Sequence, residues 1–495
     1  MRISSSTIFD NNVSLLGQQQ TRLLQTQQQI STGRRILTAA DDPVAAARAL
    51  DVTQSDATNT QYAANRDMAR NTLSLAESTL QGVTTLLQDV KTAAVGAGNG
   101  ALNNSDRKTI ATGLSGRLQE LIGLANSTDG AGNYLFSGFQ SSTVPFVNVA
   151  GAMAYNGDDG QRLMQVSASR QMASSDSGAD IFMRVKNGNG TFVTQPVATN
   201  TGSGVISAGS VINPAAVNGD RYSVAFSTFG TSTVLGGGST GTISTAPAVS
   251  NPSAVTGHDY GITFSVAAGV TTYSVQDLTT STPVAGQTGV TFGPAVPQTI
   301  AFDGISLAIN GAPVHGDVFN VTAPTYSVTD VTTGATVATA QKFVSGQAIS
   351  FGGMQFDIQG IPLPNDQFTV QPSGNVSLFK TISDLITALN TPVATGNATQ
   401  AAAFNASLNT AMNQVDRGLD NVLTIRSSMG LRLNEVDALH TTGSDLSLQL
   451  KQTLSQLQDV DYNKAISDLT QQQMTLQAAQ KSFIKVADLS LFSYL

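Results

Sequence analysis

The stretch FDNNVSLLGQQQTRLLQTQQQISTGRRILTAADDP, residues 9–43, decides how the chain begins. Phe9, Leu16, Leu23 and Ile30 stand seven residues apart, with Val13, Gln20 and Gln27 between them. This four–three alternation keeps one helix face in register with a second helix, which predicts a long helix with a single packing stripe. Gly33 supplies a stop, since glycine enters the left-handed conformation that ends helices at no steric cost. Arg34 and Arg35 follow where the helix dipole is negative. Asp42 suits an N-cap and Pro43 a first helical position, so a second helix starts there.

That second helix carries Leu73, Ala76, Leu80, Val83, Leu87, Val90 and Ala94 at the same alternation. Residues 96–104 read as a turn, and Ile110, Leu114, Leu118, Leu121 and Ala125 mark a third, antiparallel helix. Short strands follow to about residue 185, with Gly157-Asp158-Asp159-Gly160 as a hairpin turn. The far end mirrors this pattern. Leu408, Val415, Val422, Met429 and Val436 recur at sevens, alternating with Met412, Leu419 and Leu433. Thr441-Thr442-Gly443-Ser444 reads as a break. The final helix carries Leu469, Leu476 and Phe483, alternating with Ala465, Gln472, Ala479 and Val486. Helices of about 30–45 residues are implied, well beyond the usual length, as coiled coils require.

Proline divides the chain. Only Pro43 and Pro145 precede residue 150 and none follows Pro392, so both ends can be helical and the middle cannot. The middle turns to Thr, Val, Ser, Gly and Pro, with alternating strands such as Tyr222-x-Val224-x-Phe226. It also repeats itself. Tyr273-Ser274-Val275-x-Asp277 returns as Tyr326-Ser327-Val328-x-Asp330, Ile300-x-Phe302-x-Gly304 as Ile349-x-Phe351-x-Gly353, and Asp317-x-Phe319-x-Val321 as Asp366-x-Phe368-x-Val370. The expected fold is mainly α, with long antiparallel coiled-coil helices drawn from both chain ends and an all-β domain inserted between them. Residues 1–40 and 442–495 form a terminal helical assembly domain in this reading. Residues 41–190 and 376–441 form a helical core with a small β part, and 191–375 the duplicated insert.

Composition narrows the function. The 495 residues carry a net charge of −8 and only 12% charged side chains, with no basic run beyond Arg34-Arg35, which argues against nucleic acid or an anionic membrane as partner. There is no cysteine, so disulfides and thiolate metal sites are excluded, and His258, His315 and His440 show no ligand spacing. No apolar run is long enough to span a membrane, and Met1 to Phe9 contain no cleavable signal. Gly157–Gly160 lacks the alternating oxygen ligands of a calcium loop, and Gly96–Gly100 lacks the strand and lysine of a phosphate loop. Asp41-Asp42 and Asp158-Asp159 read as turn caps, and Arg426 and His440 as structural residues. No catalytic constellation, cofactor or metal is expected.

Few large apolar residues on each terminal helix stand against the entropy of ordering so many residues, and Gln20, Gln27 and Gln472 thin the stripe further. The ends are therefore expected to become ordered among neighbours, with a purely intramolecular bundle as the other reading.

Ile30-Ser31-Thr32-Gly33-Arg34-Arg35-Ile36 followed by Ala40-Asp41-Asp42-Pro43 resembles the junction segment of bacterial flagellins and their hook-associated relatives. Asn133-Tyr134-Leu135-Phe136-Ser137-Gly138, Tyr155-x-Gly157-Asp158-Asp159-Gly160-Gln161 and Arg426-x-x-Met429-Gly430-x-Arg432-x-Asn434 are similar to further family motifs. Asp-Asp-Pro and the ending Ser490-Leu491-Phe492-Ser493-Tyr494-Leu495 look closer to the hook–filament junction branch than to filament flagellin. The resemblance covers about residues 1–190 and 400–495. It implies a structural, non-enzymatic part of the flagellum at the hook–filament junction, exported unfolded by the type III route. Phe9, Val13, Leu16, Leu23, Ile30, Leu469, Leu476, Phe483 and Val486 would form the assembly interface, and Gly33, Asp41, Asp42 and Pro43 a hinge. The implied partners are other copies of the chain, adjacent hook-associated and filament proteins, and an export chaperone at the C-terminal segment. A filament flagellin, or a surface adhesin acting through the β insert, are the alternative readings.

Overall fold

The computed structural model describes residues 5–251, 254–293 and 297–492, and the backbone alone at 5, 6, 8, 398, 399 and 486–492. Its helices are α1 Ser5–Thr32, α2 Pro43–Ala97, α3 Asn104–Ala125, α4 Leu378–Asn390, α5 Ala398–Gln458 and α6 Tyr462–Phe492. Helical ends thus flank a strand-rich centre. Contacts group the chain into two compact units, Met1–Leu73 with Leu163–Ser174 and Leu431–Leu495, and Ser74–Arg162 with Ser175–Gly430.

In the first unit α2 and α5 run antiparallel. The Ser447 hydroxyl donates to Asp56 at 2.8 Å, Asn59 Nδ2 to the Gly443 carbonyl at 2.7 Å, and Arg70 pairs with Asp437 at 3.3 Å. The sequence predicts a break at 441–444, yet α5 runs straight through it. Thr441, Thr442 and Ser444 stay helical because each hydroxyl donates to the carbonyl four residues back, at 3.1, 3.0 and 2.9 Å. Gly443 answers a different need. A Cβ there would land on the guanidinium of Arg66, which is buried against it and donates to the Val166 carbonyl at 2.9 Å. The strands Leu163–Ser167 and Arg170–Ala173 form a hairpin fastened to both helices. Asn65 donates to the Gln165 carbonyl at 2.8 Å, Arg170 grips Glu435 through two bonds of 2.6 and 2.9 Å, and Arg432 donates to the Ala173 carbonyl at 3.0 Å.

In the second unit the predicted stripes are buried: Leu80, Val83, Leu87 and Val90 of α2, and Leu408, Val415, Val422 and Met429 of α5. Lys91–Asp416 at 2.6 Å and Arg426–Glu77 at 2.7 Å fix the antiparallel register. Asn103 caps α3 in a capping box with Asp106, and Ser377 caps α4. Phe146, Phe182 and Phe379 pack with ring centres 5.1–5.9 Å apart. Gly157–Gly160 is not the turn of a hairpin, because Ala152–Tyr155 pairs back onto Phe146–Val149. Asp158 instead accepts from the backbone N–H groups of Phe139 and Gly160 at 2.9 and 2.8 Å, and Asp159 from Arg184 at 2.7 Å, so these carboxylates fasten a loop.

The middle enters and leaves through one ribbon, Val185–Lys186 paired with Asn375–Val376. It holds two modules, each of two antiparallel layers over its own core. The first module's large sheet runs in the order 336–342, 325–330, 222–226, 367–372, 192–196, and its small sheet joins 348–351 and 354–359 with 205–206 and 210–211. Val224, Val328, Phe356, Ile358 and Phe368 fill the space between. The second module's large sheet runs 230–234, 318–322, 260–267, 270–277, 282–283, and its small sheet 242–249, 305–310, 298–302. Tyr260, Ile262, Ile300, Ile309 and Phe319 form that core.

The repeated aspartates do the same work in both modules. Asp277 accepts from the N–H of Thr279 and Thr280 at 2.8 and 3.0 Å, and Asp330 from Thr332 and Thr333 at 2.8 and 3.1 Å. Asp317 takes N–H bonds from Gly236 and Val314 at 2.7 and 2.8 Å, and Asp366 from Thr201, Gly202 and Leu363 at 2.8, 3.0 and 2.8 Å.

Candidate assembly interface

α1 and α6 lie antiparallel. The rings of Phe9 and Phe483 are 5.1 Å apart, the Thr26 hydroxyl is 3.1 Å from Gln472 Oε1, and Val460 N–H donates to the Gly33 carbonyl at 2.9 Å. Partner numbers fall as their counterparts rise, as opposed directions require. The least exposed positions of α6 are Ala465, Leu469, Gln472, Leu476, Ala479 and Phe483, all of them predicted, together with Asp468. On α1 Asn12, Leu16, Gln19, Leu23, Thr26 and Ile30 form the corresponding stripe, and Gln25 and Gln29 are half-buried beside it, where they bond Asp41 and the Arg35 carbonyl.

The α1 stripe is thus turned by one residue from the prediction. Leu16, Leu23 and Ile30 lie in the seam, half-buried, while Val13, Gln20 and Gln27 are exposed and Asn12, Gln19 and Thr26 take their places. Thr26 fits the seam because its hydroxyl can satisfy itself on Gln472 or on the Arg22 carbonyl, also at 3.1 Å. Gln19 Oε1, by contrast, is buried there without a partner, so the seam is thin in apolar contact. The side chain of Val486 and residues 493–495 lie outside the described residues.

Exposed apolar side chains remain beside the seam. Phe9 is 50% exposed and Leu24 61%, with Val13 also open; on α6 Ile484 is 59% exposed, with Tyr462 and Ile466 open as well. At 3.6 residues per turn, Phe9, Val13 and Leu24 lie within about 60° of one another, on the same rotational side of their seam as Tyr462, Ile466 and Ile484 are of theirs. An antiparallel pair has an approximate two-fold axis perpendicular to it, which brings like flanks to one side. The pair therefore presents an apolar side, while Leu15, 49% exposed, lies on the other flank of α1 and Met474, 61% exposed, on the far face of α6. Sequence reasoning missed Leu15, Leu24, Tyr462, Ile466, Met474 and Ile484, which stand outside the seven-residue spacing; their size and lack of charge were the available signal.

The helices are joined by segments that grip each other. Gly33, at φ +72°, ends α1, and the Tyr462 hydroxyl sits 3.0 Å from where a Cβ would stand. Arg35 N–H donates to the Gln458 carbonyl at 2.6 Å, and its guanidinium to the Leu457 carbonyl at 2.8 Å and to Asp42 at 3.2 Å. Arg35 thus serves the carbonyl end of α5 rather than that of α1. Asp41 accepts from Thr38 and Leu37 N–H at 2.8 and 3.0 Å and from Gln25 at 2.8 Å. The Thr38 N–H foremost, with Leu37 and Gln25, holds the Asp41 carboxyl below the usual range. Asp42 caps α2 by accepting from Ala45 N–H at 3.0 Å, and that bond, then Arg35, keeps its carboxyl low as well. Pro43 opens α2, as predicted. The true start of the last helix is Asp461, which accepts from Lys464 N–H at 3.2 Å, a cap legible as an aspartate just before the stripe that begins at Ala465.

Among the described residues no three His, Asp or Glu side chains gather where a metal ion could bind, and no helix is long and apolar enough to cross a membrane.

Comparison with known proteins follows the same division into ends and middle. Residues 3–141 match the bacterial flagellin N-terminal helical region, and 412–495 the flagellin C-terminal helical region. Flagellar hook-associated protein 3 of Salmonella typhimurium is 40% identical over 182 residues, 37% of this chain and 57% of that protein. Its counterpart of the same name in Escherichia coli is 25% identical over 99% of both chains. The solved flagellar junction protein FlgL of Legionella pneumophila is 26% identical and superimposes with a TM-score of 0.55, covering 83% of this chain and all of that one. Flagellin-type helical regions at both ends, and an end-to-end likeness to hook-associated protein 3, make the chain similar to bacterial flagellins and, along its whole length, to their hook-associated junction proteins.

Proposed function

We propose that the chain is a structural adaptor of the bacterial flagellum, seated at the hook–filament junction and joined to its neighbours through the α1–α6 pair. The observation that carries this reading is the apolar side of that pair, with Phe9, Leu24 and Ile484 each at least half exposed. Such a side costs free energy in water and is relieved when another surface covers it. Residues 1–40 and 442–495 act as the assembly domain, 41–190 and 376–441 as the core, and 191–375 as the insert. The pair winds as an antiparallel coiled coil, and other copies of the chain supply the covering surface. Before assembly an export chaperone covers the C-terminal segment, where Ile466, Met474 and Ile484 are open. Gly33, Asp41, Asp42 and Pro43 set the angle at which the pair leaves the core.

The test is Leu24→Gln with Ile466→Gln, two changes on the open side that leave the seam intact. Hook-capped flagella from cells carrying the variant should lack filament, while the purified chain keeps its helical circular dichroism. Normal filament growth on the variant would refute the reading.

A further inference from the structure

The repeat in the middle is longer than its aspartate motifs. Asn-Pro-x-Ala-Val-x-Gly-x-x-Tyr-x-Val-x-Phe at 213–226 recurs as Asn-Pro-x-Ala-Val-x-Gly-x-x-Tyr-x-Ile-x-Phe at 251–264. The likeness is kept in three dimensions. Asn213 N–H donates to the Gly353 carbonyl and Asn251 N–H to the Gly304 carbonyl, both at 3.1 Å. Tyr222, Val224 and Phe226 stand opposite Asp330, Val328 and Tyr326, just as Tyr260, Ile262 and Phe264 stand opposite Asp277, Val275 and Tyr273. The strand orders of the two large sheets correspond position by position.

One link differs. In the second module the strands 260–267 and 270–277 are joined by a two-residue turn, Ala268-Gly269, with φ of +50° and +78°, the geometry that suits a hairpin. In the first module the equivalent strands, 222–226 and 325–330, pair as directly, but the whole second module lies between them in sequence. The ends of this long connection are already side by side: Ser227 N–H donates to the Thr325 carbonyl at 2.8 Å, and Thr325 N–H to Ser227 Oγ at 3.0 Å. The Legionella junction protein, matched along its whole length, leaves 17% of this chain uncovered, an amount of the order of one module.

We infer that residues 228–324 are a second copy of the β module lodged in the hairpin turn of the first, and that they are an accessory part without which the helical frame and the first module fold and assemble. Each module encloses its own core, and closing a hairpin with two residues costs less chain entropy than closing it with a domain. The shared packing is small. Leu363 and Ile361 of the first module rest on the second core, and Lys342 meets Asp259 at 3.0 Å as an exposed pair of the kind that contributes little. The second module carries Val314 and Ala312 at the positions of Leu363 and Ile361, so it shows what that site accepts when uncovered.

The experiment replaces residues 228–324 of the full chain with Asn-Gly and follows amide exchange in 222–226 and 325–330, together with self-association. A companion variant adds Ile361→Ala and Leu363→Val. Protection within about tenfold of the parent in either shortened chain, with association equal to the parent's, is the expected result. Loss of protection in both shortened chains, or association by the parent alone, overturns the inference. The exchange arm stands apart from the assembly reading: should neither parent nor variant associate, that reading fails while exchange still decides this one.

Discussion

The ring of Phe9, near the start of α1, lies 5.1 Å from that of Phe483, near the end of α6, tilted by 46°. Nearly the whole chain separates these residues in sequence, so their contact closes a very large loop and rests on everything that aligns the two helices behind it. Phe9 nevertheless stays half exposed. An aromatic pair contributes about 0.5–1.5 kcal/mol beyond its buried area, little for ordering two long helices. Phe483→Ala should therefore speed amide exchange in α1 and α6 by about tenfold in the lone chain, leaving the thermal midpoint of the rest unchanged. A global drop in that midpoint would show that the pair is part of the cooperative core.

Gly443 and Gly430, both inside α5, should respond oppositely to alanine. At 443 a Cβ displaces Arg66, whose guanidinium is buried and pushed below its usual pKa range by burial. Gly443→Ala should cost about 2 kcal/mol or more. A Cβ at 430 meets nothing, so Gly430→Ala should stabilise by about 0.5–1 kcal/mol through helix propensity. Denaturant midpoints of the two variants give the comparison.

Acid should loosen the link between α1 and α2. The carboxyls of Asp41 and Asp42 lie below their ordinary value in the folded chain, so their contribution is complete above the unfolded value near 4 and is lost as pH falls through the lower folded values. The Leu37 and Thr38 amide signals should move over that fall, and in Asp41→Ala they should already sit at the acid position at neutral pH. Asp42→Ala, which removes the α2 cap, should lower the denaturant midpoint.

The paired aspartates offer a test of module independence. Asp317→Ala strands the N–H groups of Gly236 and Val314, and Asp366→Ala those of Thr201, Gly202 and Leu363. Each should cost about 2–4 kcal/mol in its own module. Limited proteolysis should cut within 237–322 for Asp317→Ala and within the first module's strands for Asp366→Ala.

The helix stripes were legible wherever burial is deep. Leu408, Val415, Val422, Met429 and Val436 recur at sevens and are all buried, because only one helix face can meet α2. Gly33 and Asp42 were legible too, since a left-handed stop and a side-chain cap are local chemistry. What sequence could not show was decided by contact. Gly443 looks like a breaker until Arg66 is placed against it, and the α1 stripe rotates because Thr26 finds Gln472, 446 residues away. Gly157–Gly160 reads as a hairpin turn in the sequence because strand partners are not written in the strands themselves. α5 is longer than its spacing implies, because the helix passes through a segment whose hydroxyls are satisfied within it.

The ribbon of Val185–Lys186 with Asn375–Val376 sets the entrance and exit of the middle a strand's width apart, roughly 4.8 Å. A gate that narrow transmits almost no information about what lies beyond it. Lineages could lengthen, shorten or exchange the outer cassette without re-tuning the α-helical chassis, so long as the two ends return to the same doorstep. Variation among relatives should accordingly concentrate between residues 187 and 374 and fade abruptly on either side.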